Sequence, residues 1–368
     1  MSKLNRRECL QGMLATMAAA GIAPASTATP ISAASDESSS KEPGIKLALV
    51  WGVNQMHQIR LARQMGVTHS IAGVAGALSK VPRSQYVDTL AKIKAEYDAA
   101  GMTIAGVESH PVPAEKIKLG LPGRDEEIEN YCAAIEALSK VGIHMVCYDF
   151  MAGIDWYRTR TNYPGRAGAL SLEFDYRQAE KLGLTQWGQI SEAKMWDSLE
   201  YFQKAVIPVA EKAGVKMALH PDDPPISPLR GISRILISAA NYRRAMNIVP
   251  SPINGVTFDH SIFYLMGENI QALAQQWCRE KKIFFIHSRN LTGTREHFLE
   301  TFHDNGAINF REMYRTYYES GFDGPIRPDH APTMDGEPND HPGYEILGKI
   351  FAIGYIKGIM AGQNIPYV

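Results

Sequence analysis

The chain has 368 residues, 38 Lys+Arg against 39 Asp+Glu, a net charge of −1, 45% hydrophobic residues and 21% charged ones. These proportions exclude collagen-like, coiled-coil and generally disordered classes, and without a basic excess a nucleic-acid partner has no electrostatic footprint. The length suits two average domains or one large α/β barrel.

Residues 1–25 read as an export signal. Lys3, Arg6 and Arg7 precede a mildly apolar run, GMLATMAAAGIAPA, and Ala23-Pro24-Ala25 resembles a cleavage site. Arg6-Arg7 followed by Leu10 is similar to a twin-arginine signal, although Cys9 stands where an aromatic is usual. The run is too short and too rich in Ala and Gly for stable membrane insertion. A periplasmic or secreted protein is therefore expected, or a cytoplasmic one if the leader does not function. Residues 26–42, rich in Ser, Ala, Thr and Pro, read as a disordered linker, which leaves 43–368 for the folded domain. Outside the leader stand Cys132, Cys147 and Cys278, an odd number that argues against a disulfide framework.

The body alternates strand-like and helix-like segments. Apolar runs suited to buried strands lie at 46–51, 69–74, 103–108, 144–150, 216–220, 255–260, 282–287 and 324–330. Segments with helical spacing, such as 87–101, 125–142 and 198–214, separate them, and several end in a capping Gly. Eight such units predict a parallel sheet closed as a (β/α)8 TIM barrel. No G-x-G-x-x-G follows the first strand, which disfavours an open dinucleotide-binding sheet. A long insertion, Met151 to about Ile190, follows strand four and reads as a lid, a binding element or a disordered loop. Its Arg158, Arg160 and Arg166, set among aromatics, suit an anionic ligand.

Strands five to eight end in KMALHPDDPP, GVTFDH, IFFIHSRN and PIRPDH. Barrels assemble active sites at the carboxyl ends of different strands, so His220, Asp259, His287 and Asp329 can converge on a metal. Two imidazoles and two carboxylates suit Mn²⁺, Fe²⁺, Co²⁺ or Zn²⁺, with Mg²⁺ less favoured. His260 and His330 follow ligand candidates directly, and in an extended strand neighbours face opposite sides. If the strand has ended there, His330 is free to act as acid or base. His57, His69, His144 and His297 read as surface or helix-end residues, with His110 and His341 intermediate. Asp222-Asp223 reads as turn chemistry.

Long stretches resemble the D-mannonate dehydratase family, densest in 107–159 and continuing in LHPDDPP (219–225), HSRN (287–290), FHDNG (302–306) and RPDH (327–330). Pro342-Gly343-Tyr344 fits the same pattern. The resemblance implies a metal-dependent TIM-barrel enzyme, typically with Mn²⁺, whose ligands fall on His220, His287 and Asp329. The family's fourth ligand, a cysteine, falls on Asp259, an exchange that makes the site harder and favours Mn²⁺ or Mg²⁺ over Zn²⁺. Acid/base roles fall on His330 and Tyr344. Candidate substrate contacts are Arg158 and Trp156 in the W-x-R-T segment, Arg289 in HSRN, and His110. Two departures stand out: Asp329-His330-Ala331-Pro332 lacks the arginine of the family's D-H-G-R, and Asp149 replaces an asparagine. An aspartate there is expected to repel an anionic substrate.

The resemblance therefore implies elimination of water from an aldonate, D-mannonate to 2-keto-3-deoxy-D-gluconate, by a homo-oligomer acting on a small anionic sugar acid. A xylose-isomerase-like isomerase or epimerase would use the same chemistry without losing water. A non-catalytic exported sugar-acid binding protein would bind without making product.

Overall fold

The computed structural model describes residues 44–52 and 54–368; the leader and linker read from the sequence lie outside them. Eight parallel strands close into the expected barrel. They are β1 (Lys46–Leu49), β2 (His69–Ala72), β3 (Thr103–Glu108), β4 (Met145–Tyr148), β7 (Lys216–Leu219), β8 (Asn254–Asp259), β9 (Ile283–Ser288) and β12 (Pro325–Pro328). They pair in that order, and the Lys46–Pro325 register returns β12 to β1. Strands such as β8 and β9 are buried along their whole length, which is why they read as apolar runs rather than alternating ones. His69, expected at the surface, is buried in β2 at 8% exposure.

Outer helices bury one stripe each. In Glu192–Ala213 the stripe is Met195, Leu199, Phe202, Val206 and Ala210, at the three- and four-residue spacing of a helix face. Ser191 caps its start by accepting from the Lys194 N–H, and left-handed Gly214 ends it. Inside the barrel Ala48, Ile71, Met145, Cys147, Ala218 and Phe285 fill the lumen. Among the described residues no helix is long and apolar enough to cross a membrane.

The insertion after strand four is not an irregular loop. It forms a hairpin of β5 (Arg160–Pro164) and β6 (Leu170–Asp175). A second hairpin, β10 (Asn290–Thr294) and β11 (His297–Thr301), leaves the end of β9 and pairs with β6. The four strands make a separate antiparallel sheet in the order β10-β11-β6-β5. Sequence reading misses β10 and β11 because they are short and only partly buried.

Gly293 sits opposite Phe298 in the second hairpin at φ 109, and a Cβ there would lie 2.2 Å from the His297 carbonyl oxygen. Gly293→Ala is expected to destabilise the protein by about 2 kcal/mol or more. Thermal unfolding checks this, and an unchanged melting temperature would show that the close approach is not maintained.

Candidate active site

The ends of the strands place the chemistry. His220 follows β7 directly, Asp259 is the last residue of β8, and His287 lies near the end of β9. One ligand atom from each falls within 4.8 Å of the others. Asp259 also caps the short helix His260–Leu265: its Oδ1 accepts from the Ser261 and Ile262 N–H groups at 2.9 and 3.1 Å. Its Oδ2 and His287 Nε2 are buried without a hydrogen-bond partner, although Arg289 Nη2 lies 3.2 Å from Oδ2 in poor alignment and Glu108 Oε1 lies 3.6 Å from Nε2. Burial, then Arg327, lowers the His287 pKa and keeps the ring in the neutral form that coordinates metals. Two orphaned ligand atoms beside a third donor fit a divalent cation. His220 Nε2 and His287 Nδ1 stand 3.0 Å apart.

Asp329 is not part of this tight triplet. It follows β12, and its Oδ1 pairs with Arg327 Nη1 at 2.8 Å while Oδ2 lies 3.5 Å from Arg289 Nε. The two histidines that follow ligand candidates separate cleanly. His260 turns into the protein interior, bonded to Tyr317 Oη and the Arg289 carbonyl, both at 3.0 Å. His330 faces the cavity, with Nε2 3.0 Å from Tyr344 Oη. On its other side Nδ1 lies 2.9 Å from Glu300 Oε2. Trp156 packs on His330 with ring centroids 4.7 Å apart.

Glu300, on β11, is the residue that sequence reading misses. It cannot be found without the second hairpin, and its only local signal is its place just before FHDNG. Burial raises its carboxyl pKa, but Arg158, His330 and Arg289 outweigh that and bring it down to about 2. An ionised Glu300 cannot donate, so the proton belongs on His330 Nδ1 and the lone pair on Nε2. Arg289 Nη1 donates to the same carboxylate, to Oε1 at 2.9 Å, so Glu300 accepts from the arginine and the imidazole together.

Arg158 and Arg289 are not free to grip a substrate. Arg158 spends its donors on Asp223, Glu300 and the Tyr157 carbonyl, and Arg289 on Asp223, Glu300 and Ser261. Both side chains are fully buried and neither lines the cavity. Arg160 and Arg166 bond to Asn162 and Asp304 at exposed positions, so none of these three insertion arginines is on the cavity wall. Asp223, read as turn chemistry, instead joins both buried arginines, while Asp222 accepts from Arg234 and from the N–H groups of Ile235 and Leu236. The arginine on the cavity wall is Arg327, held by Glu108 from β3. Glu108 ends its strand as the ligand candidates do, and that is the signal by which it could be found.

The cavity measures about 120 Å³ and is lined by Glu108, Asp149, Trp156, His220, His330 and Tyr344 among others. Comparison with known proteins decides the family. The sequence model of the D-mannonate dehydratase (UxuA) family matches residues 45–187 and 180–365. The mannonate dehydratase of Streptococcus equi subsp. zooepidemicus is 34% identical over 316 residues, covering 78% of this chain and 86% of that protein. That of Thermotoga petrophila is 33% identical over 354 residues, covering 86% and 97%. The crystal structure of mannonate dehydratase from Streptococcus suis serotype 2 superposes with a TM-score of 0.76 at 29% identity, covering 88% and 95%. The chain belongs to the D-mannonate dehydratase family.

Within this hydro-lyase family the Asp149 departure is compensated. Lys118 Nζ lies 3.4 Å from Asp149 Oδ1, and His110 Nε2 lies 3.5 Å from Oδ2. Burial opposes the charge on Lys118, yet Asp149 leaves its pKa raised, so a carboxylate–ammonium pair stands at the cavity edge. The expected repulsion of an anion is therefore offset. His110 lies behind Asp149, not on the cavity wall; burial lowers its pKa to about 4 and leaves it neutral.

Glu300 makes acid stability testable. Its carboxyl falls from 4.5 to about 2 on folding, so its contribution is present above pH 4.5 and is lost as pH falls toward 2. Glu300→Gln is expected to be less stable at neutral pH, by on the order of a few kcal/mol and hence with a lower melting temperature, and to show a flatter acid limb. Thermal melts across that range check it; parallel limbs for both proteins would refute the assignment.

Proposed function

We propose that the protein catalyses the metal-dependent dehydration of D-mannonate to 2-keto-3-deoxy-D-gluconate. One observation carries the reading: Glu300, His330 and Tyr344 form a hydrogen-bonded series that ends in the same cavity as His220 and His287. His220, Asp259 and His287 would hold the cation, beside Glu108, whose Oε1 lies 3.6 Å from His287 Nε2, while Asp329 lines the same cavity. A divalent ion bound there supplies the positive charge that offsets charge building on the carboxylate end of the substrate.

The chain's own groups then divide the proton work. Glu300 fixes the His330 tautomer, so the Nε2 lone pair takes the proton from C2. The electron pair of the broken C2–H bond forms the C2–C3 double bond. The C3–O bond breaks, and the hydroxyl leaves as water with the proton of Tyr344. Burial raises the Tyr344 pKa, which keeps the phenol protonated until that moment. The resulting enol becomes the 2-keto acid, and His330 returns its proton to the Tyr344 oxygen 3.0 Å away. Trp156 covers the imidazole and excludes water from it.

Purified protein is expected to convert D-mannonate with Mn²⁺ and to lose that activity in chelator. Mn²⁺ is also expected to raise the melting temperature, and His220→Ala should abolish both effects. His330→Ala and Tyr344→Phe should each lower kcat by about 10²–10⁴-fold while the Mn²⁺-induced rise persists. Mass spectrometry of the product distinguishes loss of water from isomerisation. Near-normal turnover in His330→Ala would overturn the assignment.

A further inference from the structure

A second, larger chamber adjoins the active site. It measures about 420 Å³ against about 120 Å³ for the site itself, and Trp156 and Tyr344 line both. Across from them the chamber is bounded by Trp51 and Gln58, by Thr161 of β5, and by Asp340 and Glu345 in the segment after β12. Its chemistry is specific. The two indoles offer flat apolar surface, and the amides and carboxylates offer hydrogen bonds in several directions. The amide oxygen of Gln58 is buried without a hydrogen-bond partner among the described residues, a group that seeks a donor. No Lys or Arg is among the described residues that line the chamber, and its one imidazole, His341, stands between Asp340 and the Glu345 carboxylate that accepts from its backbone N–H, so the lining offers no permanent cation for a phosphate or a second carboxylate. Apolar faces with ringed hydrogen-bonding groups and no permanent cation fit a neutral, hydroxyl-rich ring, whose C–H faces are apolar and whose edges are donors and acceptors.

We propose that the enzyme takes an aldonate that carries an uncharged sugar ring on its far end, and that this chamber seats the ring. The proposal rests on the dehydratase reading for one step. The acid end lies toward His220 and His287, and His330 and Tyr344 act at C2 and C3, so the C4–C6 end must pass Tyr344. The shared wall of Trp156 and Tyr344 is where the two cavities adjoin.

The probes are D-mannonate and the two glycosyl-mannonates made by oxidising the reducing end of β-1,4- and α-1,6-mannobiose, each with Mn²⁺-loaded full-length protein. Turnover and calorimetric binding are measured for wild type, Thr161→Trp, which fills the chamber from an exposed strand, and Gln58→Leu. At least one glycosyl-mannonate is expected to show kcat/KM about tenfold or more above D-mannonate. Thr161→Trp should remove that preference and leave D-mannonate turnover unchanged. Gln58→Leu should weaken glycosyl-mannonate binding about tenfold yet melt no lower than wild type, because it deletes an unpaired buried oxygen. Conversion of D-mannonate with neither glycosyl-mannonate bound nor converted would overturn the chamber assignment and leave the dehydratase reading standing. Tight, Thr161→Trp-sensitive binding of a glycosyl-mannonate without any product would do the reverse. No binding and no product for all three would overturn both.

Discussion

Four buried charges hold the site together. Arg158 and Arg289 alternate with Asp223 and Glu300, so each guanidinium touches both carboxylates, and all four side chains are shielded from solvent. Ions out of water are stable only when every partner is in place, and removal of one leaves an uncompensated charge worth several kcal/mol. The four residues come from four places: the start of the insertion, the loop after β7, the end of β9, and β11. The network thus ties the antiparallel sheet to the barrel and does so at the site. Glu300 is the member that also reaches His330, so the rigidity of the network becomes the orientation of that imidazole.

This explains why arginines that look like substrate clamps are not on the cavity wall. A guanidinium with all its donors matched has nothing left for a sugar acid, and its role passes to the geometry it enforces. The cavity wall is instead rich in carboxylates, with Glu108, Asp149, Asp155, Asp223 and Asp329 against a lining arginine, Arg327. Most of these carboxylates already have a partner, Asp223 in the two buried arginines, Glu108 and Asp329 in Arg327, so the wall keeps no free guanidinium for an anion. These electrostatics suit a cation at the site, in keeping with its donor set. They also account for the Lys118–Asp149 pair, which keeps one more carboxylate from adding to the excess.

The barrel was readable because buried parallel strands are written as apolar runs, and because a polar residue that ends such a run stands out. Asp259 and His287 are local signals of that kind. The same rule singled out Asp329 but said nothing of its partners, Arg327 and Arg289, which hold it outside the tight triplet. Pairing is where sequence reading stops. Arg158 finds Glu300 across 142 positions and Asp223 across 65, separations that no periodicity or motif spacing records. The second hairpin was missed for a related reason: β10 is mostly exposed and contains a glycine, and β11 alternates over only five residues, so neither has enough burial to print a pattern. With it went Glu300.

Asp259 shows how one substitution can serve two constraints. A thiolate at that position could ligate a metal but would be a poor cap for the helix that starts at His260. The carboxylate divides the duties between its oxygens. Oδ1 accepts the first N–H groups of the helix, which fixes the side chain's rotamer, and Oδ2, 3.2 Å from Arg289 Nη2, is left without an aligned hydrogen bond. Pre-orientation of this kind lowers the entropy lost when a ligand atom is immobilised, and a hard oxygen donor shifts preference away from soft ions. The departure from cysteine therefore retains a metal-capable position, with a ligand held in place by the backbone it caps.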